Sequence, residues 1–281
     1  MTSKILGLLA MGLLVGPMAA QSADVIVGAR EWQKPADTPD VSWDDYNAVC
    51  NATTGVCSGS VKSVDLSGWT WASNGDVQAL FERLIHPATT EFPTATSAYP
   101  EFDSADIAAA VSTFGPPTYH AFDYVFVRGW TRTLAPPVSG QPVAYSPYLR
   151  DYVGTLPSHQ CGSGNPTPVC PDVAALSGES AQYPTNGPSF GGAWLYRLVP
   201  PEVALPLLYS AVSGVGPGRS LADQVAIVQS YLAVPDIQSA CLTLDAFRNH
   251  VRAQSGKQIA TAVAQQLIAD AADISAAIPC P

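Results

Sequence analysis

Histidine, basic side chains and long apolar runs are all scarce in this chain. Its 281 residues include four histidines, His86, His120, His159 and His250, and none stands in an H-x3-H or H-E-x-x-H spacing. No zinc site of the usual kind is therefore written into the sequence. Lys and Arg number 13 against 23 Asp and Glu, a formal net charge of -10 with no basic cluster, which argues against nucleic acid and anionic membrane surfaces as partners. There is no G-x-S-x-G elbow, no P-loop, no G-x-G-x-x-G opening a helix after a strand, and no D-x-[DN]-x-[DN]-G calcium loop. Gly214, Gly216 and Gly218 alternate, but Pro217 and the lack of a preceding strand make them a linker between helices. Asp44, Asp45, Asp103 and Asp106 are the nearest approach to paired carboxylates, yet no spacing sets their separation, so they read as solvated acids. The expectation is a protein without catalytic residues, metal or cofactor.

The longest apolar run, Ile5 to Val15, is about half the roughly twenty residues a membrane helix needs. Met1-Thr2-Ser3-Lys4 precedes it, and Gly16-Pro17 and the small residues Ala19 and Ala20 follow. That order is a signal peptide with cleavage between Ala20 and Ala23, so a secreted, extracellular or periplasmic location is expected, with no membrane span in the mature chain. An even number of cysteines in an exported chain implies a disulfide framework. Short loops close most readily, which favours Cys50 with Cys57 and Cys161 with Cys170 and leaves Cys241 with Cys280.

At 47% hydrophobic residues the chain has material for two domains. Its 25 prolines and 22 glycines crowd residues 87–188 and thin out after 218. The expected organisation is a signal peptide over 1–20, an α+β module over 24–198 and an all-α helical bundle over 201–281. In the module, Ser73 with Asp76 has capping-box spacing, and Val77, Leu80, Phe81 and Leu84 form one helical face that His86-Pro87 ends. A shorter helix is expected over Ser104 to Ser112. Tyr124 to Arg128 and Ala193 to Leu198 read as strands. One main helix on a small antiparallel sheet is the simplest arrangement.

Beyond Pro201 the pattern is helical. Leu205, Leu208 and Val212 share a face, with a bend expected at Pro206. Ser220 reads as the cap of a helix carrying Leu221, Val225, Val228 and Leu232. Leu244, Phe247 and Val251 mark a third helix, and Val263, Leu267, Ala271, Ile274 and Ile278 a fourth, with Ser255-Gly256 as the turn. Counted from Cys241 the last helix is the longer, so the segment before Cys241 is expected to run alongside it. Antiparallel packing then brings Cys241 to Cys280 as a staple.

Asn47-Ala48-Val49-Cys50, Thr54-Gly55-Val56-Cys57-Ser58-Gly59 and Asp65-Leu66-Ser67-Gly68-Trp69-Thr70-Trp71-Ala72-Ser73 form a series of blocks, continued by Gly129-Trp130-Thr131-Arg132-Thr133 and Gly192-Ala193-Trp194-Leu195-Tyr196-Arg197. This series resembles a module of bacterial exosortase-sorted (PEP-CTERM-type) secreted proteins. The resemblance implies an exported protein and assigns no catalytic residue. Such proteins carry a terminal sorting signal, whereas this chain ends Ile278-Pro279-Cys280-Pro281, so release rather than anchoring is expected. The aromatic segment, acidic helix, Gly-Trp-Thr block and final aromatic strand are also similar in layout to small C-type-lectin-like domains, which implies a binding scaffold. Val215 to Val225 with Ala240-Cys241, Phe247, Val251 and Ala253-Gln254-Ser255-Gly256-Lys257 is similar to a C-terminal helical hairpin module of bacterial secreted proteins, which implies a spacer.

The candidate ligand surface is aromatic: Trp69, Trp71, Trp130 and Trp194 with Arg132, and Arg128 and Arg197 near them in sequence. Exposed aromatic faces beside hydrogen-bonding groups suit a glycan, an extracellular polymer or another surface protein. Because Trp and Tyr bury so much surface, such residues are more often core. The expected function is thus a non-catalytic secreted or cell-surface protein with a binding module and a helical spacer. The alternatives are an extracellular hydrolase whose acids converge only in three dimensions and a purely structural matrix protein.

Overall fold

The computed structural model describes residues 24–85, 104–121, 124–153, 172–176, 181–182, 191–216 and 218–280. The expected signal peptide, the Cys161–Cys170 loop, His86, His159 and Asp103 lie outside the described residues.

Two Ser-x-x-Asp segments start the first two helices. Ser42 accepts from the Asp45 amide while the Asp45 carboxylate accepts from the Ser42 amide, opening α1 (Trp43–Val49). Ser73 and Asp76 repeat the arrangement at α2 (Asn74–Leu84), whose Val77, Leu80 and Phe81 are buried. Each box satisfies two amide donors that a helix start otherwise leaves unpaired, worth about 1 kcal/mol. α3 (Ser104–Phe114) runs two residues past its expected end.

β1 (Val25–Val27) and β2 (Arg30–Gln33) form a hairpin across Gly28-Ala29, where Gly28 takes the left-handed φ of 63°. β3 (Ser60–Val61) and β4 (Val64–Asp65) make a second hairpin, and β5 (Thr70–Trp71) follows. Then come β6 (Tyr119–Ala121), β7 (Tyr124–Trp130), β8 (Leu134–Val138), β9 (Gln141–Tyr145), β10 (Tyr148–Tyr152), β11 (Val173–Ala175), β12 (Ala181–Gln182), β13 (Gly192–Ala193) and β14 (Leu195–Leu198). Among the described residues, besides the two-stranded β3-β4 sheet, three sheets result, ordered β1-β2-β14-β5, β11-β10-β7-β13 with β6 also on β7, and β12-β9-β8. Among the described residues these strand pairings are antiparallel except β13 on β7.

The single sheet with one main helix is thereby corrected to several small sheets with three helices. The strand expected over Ala193 to Leu198 is divided at Trp194. Its amide donates to the Trp130 carbonyl (3.0 Å) and its carbonyl accepts from Ala72 (2.9 Å), so the chain leaves β7 and joins β2 and β5 at this residue. The period-2 pattern of an aromatic segment does not register such a change of sheet. α1 is an additional helix beyond those expected, and its Ser42-x-x-Asp45 box is the same signal that marks α2.

α4 (Pro201–Val212), α5 (Ser220–Ala233), α6 (Ile237–Gln254) and α7 (Thr261–Ala277) follow, and α5, α6 and α7 pack together. Ser220 is the first helical residue rather than the cap. Arg219 holds the cap position without a side-chain bond, whereas Asp236 caps α6 by accepting from the Ser239 amide at 3.1 Å. α6 starts four residues before Cys241, which makes it 18 residues against 17 for α7, and this is how the stretch before Cys241 accompanies the last helix. Cys50–Cys57 and Cys241–Cys280 are bonded. By loop-closure entropy, the second bond, spanning 39 residues, contributes about 4 kcal/mol. Among the described residues no helix is long and apolar enough to cross a membrane.

The apolar residues gather into three clusters. One lines the four C-terminal helices and takes in Ala29 and Val199. A second lies between α2, α3 and the sheet containing β7 and β10. The third surrounds the Cys50–Cys57 bond with Trp43, Trp69, Trp71 and Trp130.

Candidate functional site

The tryptophans are core, which corrects the aromatic-surface expectation. Trp71, Trp130 and Trp194 are 0% exposed and Trp69 is 8% exposed. Three of the indoles spend their N–H groups on backbone carbonyls at 3.1 Å: Trp71 on Trp130, Trp130 on Val41 and Trp194 on Pro147. The four do not ring one concavity, since Trp194 packs edge-on to Phe81 and Phe114 while the others lie around the disulfide. Burying so large an aromatic area while pairing these three N–H groups is what such residues do for a domain with short strands. Arg132 donates to the Thr53 carbonyl (2.8 Å) and the Ala52 carbonyl (3.4 Å), steadying the loop between Cys50 and Cys57. Arg128 bonds Ser146, and Arg197 covers Trp69 with its guanidinium 4.7 Å from the ring centre while pairing with Glu31.

The sequence offered no signal for the most concentrated group of charges, which assembles where the β1–β2 hairpin and α2 meet α7. Arg30 contacts Asp76 at 2.6 Å and Asp273 at 2.7 Å, and its guanidinium lies 4.1 Å from the centre of the Tyr196 ring. Arg83 reaches Asp270 at 2.8 Å and the Gln266 carbonyl at 2.9 Å. Asp270, itself buried, also accepts from the Ala29 amide at 3.2 Å. Partners separated by about 190 to 240 residues meet here, so no local pattern reveals them.

Electrostatics divide the acids of this cluster. Burial raises Asp76, but the Ser73 hydrogen bonds and the Arg30 charge outweigh it and hold the carboxyl below its ordinary value of 3.8. Burial also raises Asp273, and there it prevails over the Arg30 hydrogen bonds. Arg30 is raised: burial alone would lower it, but the hydrogen bond and charge of Asp273 prevail. A cleft of about 320 Å³ adjoins the cluster, lined by Gly28, Arg83, Leu208, Ser210 and Asp270 among others. Its acid and base, Asp270 and Arg83, are committed to each other as a clamp.

Of the acids singled out in the sequence, Asp44 and Asp45 stand at one helix start and Asp106 at another. Asp45 is used in its capping box, Asp44 is exposed, and Asp106 lies in the first turn of α3. Asp151 and Asp172 are both buried; desolvation and the neighbouring Asp172 charge raise Asp151, while Asp172 accepts from the Tyr152 amide at 2.7 Å. No group of three or more His, Cys, Asp or Glu residues capable of holding a metal occurs among the described residues. An apolar groove of about 540 Å³ lies in the helical half, between the start of α4, the end of α5, the start of α6 and the end of α7. Comparison of the chain with protein-family models, with curated proteins and with solved structures finds no match in any of the three.

Proposed function

We propose that this is an exported, non-catalytic protein with a structural role, in which the sheet-containing half and a C-terminal helical bundle act as one braced spacer. The observation that carries this reading is the double arginine clamp. Arg30 and Arg83 of the first half are held by Asp273 and Asp270 of α7, with the Gly28-Ala29 turn seated on the same helix. Breaking either partly buried pair strands a charge at the junction, which costs several kcal/mol and makes independent motion of the halves unfavourable. The burial of the tryptophan set supports the structural reading over the glycan-binding one, because the residues best suited to stack on a sugar are consumed by the core. Export accords with the two disulfides, which persist in oxidising compartments.

Calorimetry of the oxidised protein tests the proposal, with one cooperative transition expected for both halves. Two separate transitions, saturable retention on a polysaccharide affinity gel, or turnover of glycosidic, ester or peptide reporters would each overturn it.

A further inference from the structure

The groove in the helical half is independent of the arginine clamp and has the make-up of a ligand site. We propose that it binds a small apolar molecule bearing a single protonated amine. Its volume of about 540 Å³ lies within the roughly 300 to 1,000 Å³ typical of small-molecule pockets. Leu205, Pro206, Leu232, Ile237 and Ile278 supply apolar walls, and the only polar side chains in the lining are Glu202 and Gln229.

Those two groups set the chemistry of the head group. Glu202 is exposed at the rim, Gln229 is half-buried, and neither side chain is engaged by a hydrogen bond or ion pair among the described residues. Pro206, one turn after Glu202 on the same face of α4, has no N–H to give the Glu202 carbonyl, which therefore lacks its helical donor. A carboxylate and an amide thus line the apolar cavity, the Glu202 carbonyl beside them lacks its helical donor, and no basic side chain is in the lining. That arrangement favours a cationic donor and disfavours an anion, as does the net charge of -10.

The walls are also held in place. The Cys241–Cys280 bond ties the beginning of α6 to the residue after Pro279, and Ile237 caps one side of the groove while Ile278, 3% exposed, forms its floor. A preformed cavity loses little ordering entropy on binding, so the affinity of a small molecule is retained.

Displacement of N-phenyl-1-naphthylamine from the oxidised full chain tests this, with dodecylamine, dodecanol and dodecanoate as competitors below their micellar concentrations. The fluorophore should saturate at one per chain. Dodecylamine should displace it about fivefold more effectively than dodecanol, the preference expected of a partly solvated charge pair, and dodecanoate should be weakest. Glu202→Gln should bring the amine level with the alcohol. Ala233→Trp, which fills the mouth of the groove from an exposed helix end, should abolish binding of all three, whereas Leu242→Trp, at an exposed position outside the lining, should leave it intact. Circular dichroism checks that both variants are folded. Absence of saturable fluorescence, unchanged binding in folded Ala233→Trp, or a preference for dodecanoate would overturn the assignment. So would a dimer in sedimentation that Ala233→Trp dissociates, since the groove would then be a self-association surface.

Discussion

Replacing Asp270 by alanine is the most direct test of how the two halves are joined. The side chain is 8% exposed, pairs with Arg83 at 2.8 Å and accepts from the Ala29 amide at 3.2 Å. Its loss leaves a guanidinium at 16% exposure with only the Gln266 carbonyl, and a buried amide with no acceptor. Breaking a buried pair by removing one partner costs roughly 3 to 5 kcal/mol. Because Arg83 retains some solvent and one carbonyl, about 3 kcal/mol is expected here. For a chain of this size that lowers Tm by about 6 to 12 °C. Urea unfolding at neutral pH and scanning calorimetry measure the two quantities. The double variant Arg83→Met, Asp270→Ala removes the stranded charge and should cost only about 1 to 2 kcal/mol, less than the single change. A loss under about 1 kcal/mol in Asp270→Ala, or a double variant no better than it, would refute the clamp as the brace between the halves.

Gly28→Ala should destabilise by about 2 to 3 kcal/mol in the same urea assay, because φ is 63° and an added Cβ would collide with Arg83 Nη1 and Asp270 Oδ1; a neutral effect would mean that the hairpin turn can move off α7. Cys241→Ser with Cys280→Ser should cost about 4 kcal/mol from the unfolded chain's regained freedom, against about 2.5 kcal/mol for the shorter Cys50–Cys57 loop, as denaturant midpoints would show. Asp76 has a depressed pKa in the folded state, so its contribution is present above its unfolded value near 3.8 and is lost as pH falls through the lower folded value. Asp273, raised by burial, has the opposite slope, the folded state gaining as pH falls through its pKa. Unfolding curves between about pH 6 and about pH 2 should therefore show a shallower acid loss in Asp76→Asn and a steeper one in Asp273→Asn, relative to the unaltered chain. Trp130→Phe should lose about 1 kcal/mol with its hydrogen bond to Val41 and should leave polymer retention unchanged, which gel-affinity electrophoresis would check.

Local chemistry was the legible part of this molecule. Ser73 and Asp76 identified α2, the apolar spacing from Leu205 to Ile278 identified the four C-terminal helices, and proximity identified the Cys50–Cys57 bond. Each signal lies within a few residues of the structure it specifies. Where the reading went astray, the deciding partner was remote. Trp194 interrupts its strand because Trp130 and Ala72 claim its backbone from two different sheets. The tryptophans became core for a similar reason, since the carbonyls of Val41, Trp130 and Pro147 that accept their N–H groups are placed by other segments.

The division follows from the range of the forces involved. Helix capping, apolar periodicity and short-loop closure are properties of contiguous residues, so the amino-acid order alone determined where the helices run and how the first half differs in texture from the second. Whether an indole faces solvent, whether an aspartate is solvated or buried against arginine, and whether two helix ends leave a groove depend on which surfaces meet. Arg30 and Asp273 are 243 positions apart, and only the tertiary structure brings them to 2.7 Å. The composition that made an aromatic binding surface conceivable served packing, while the groove beside Glu202 arose from four helix termini that no single stretch of sequence describes.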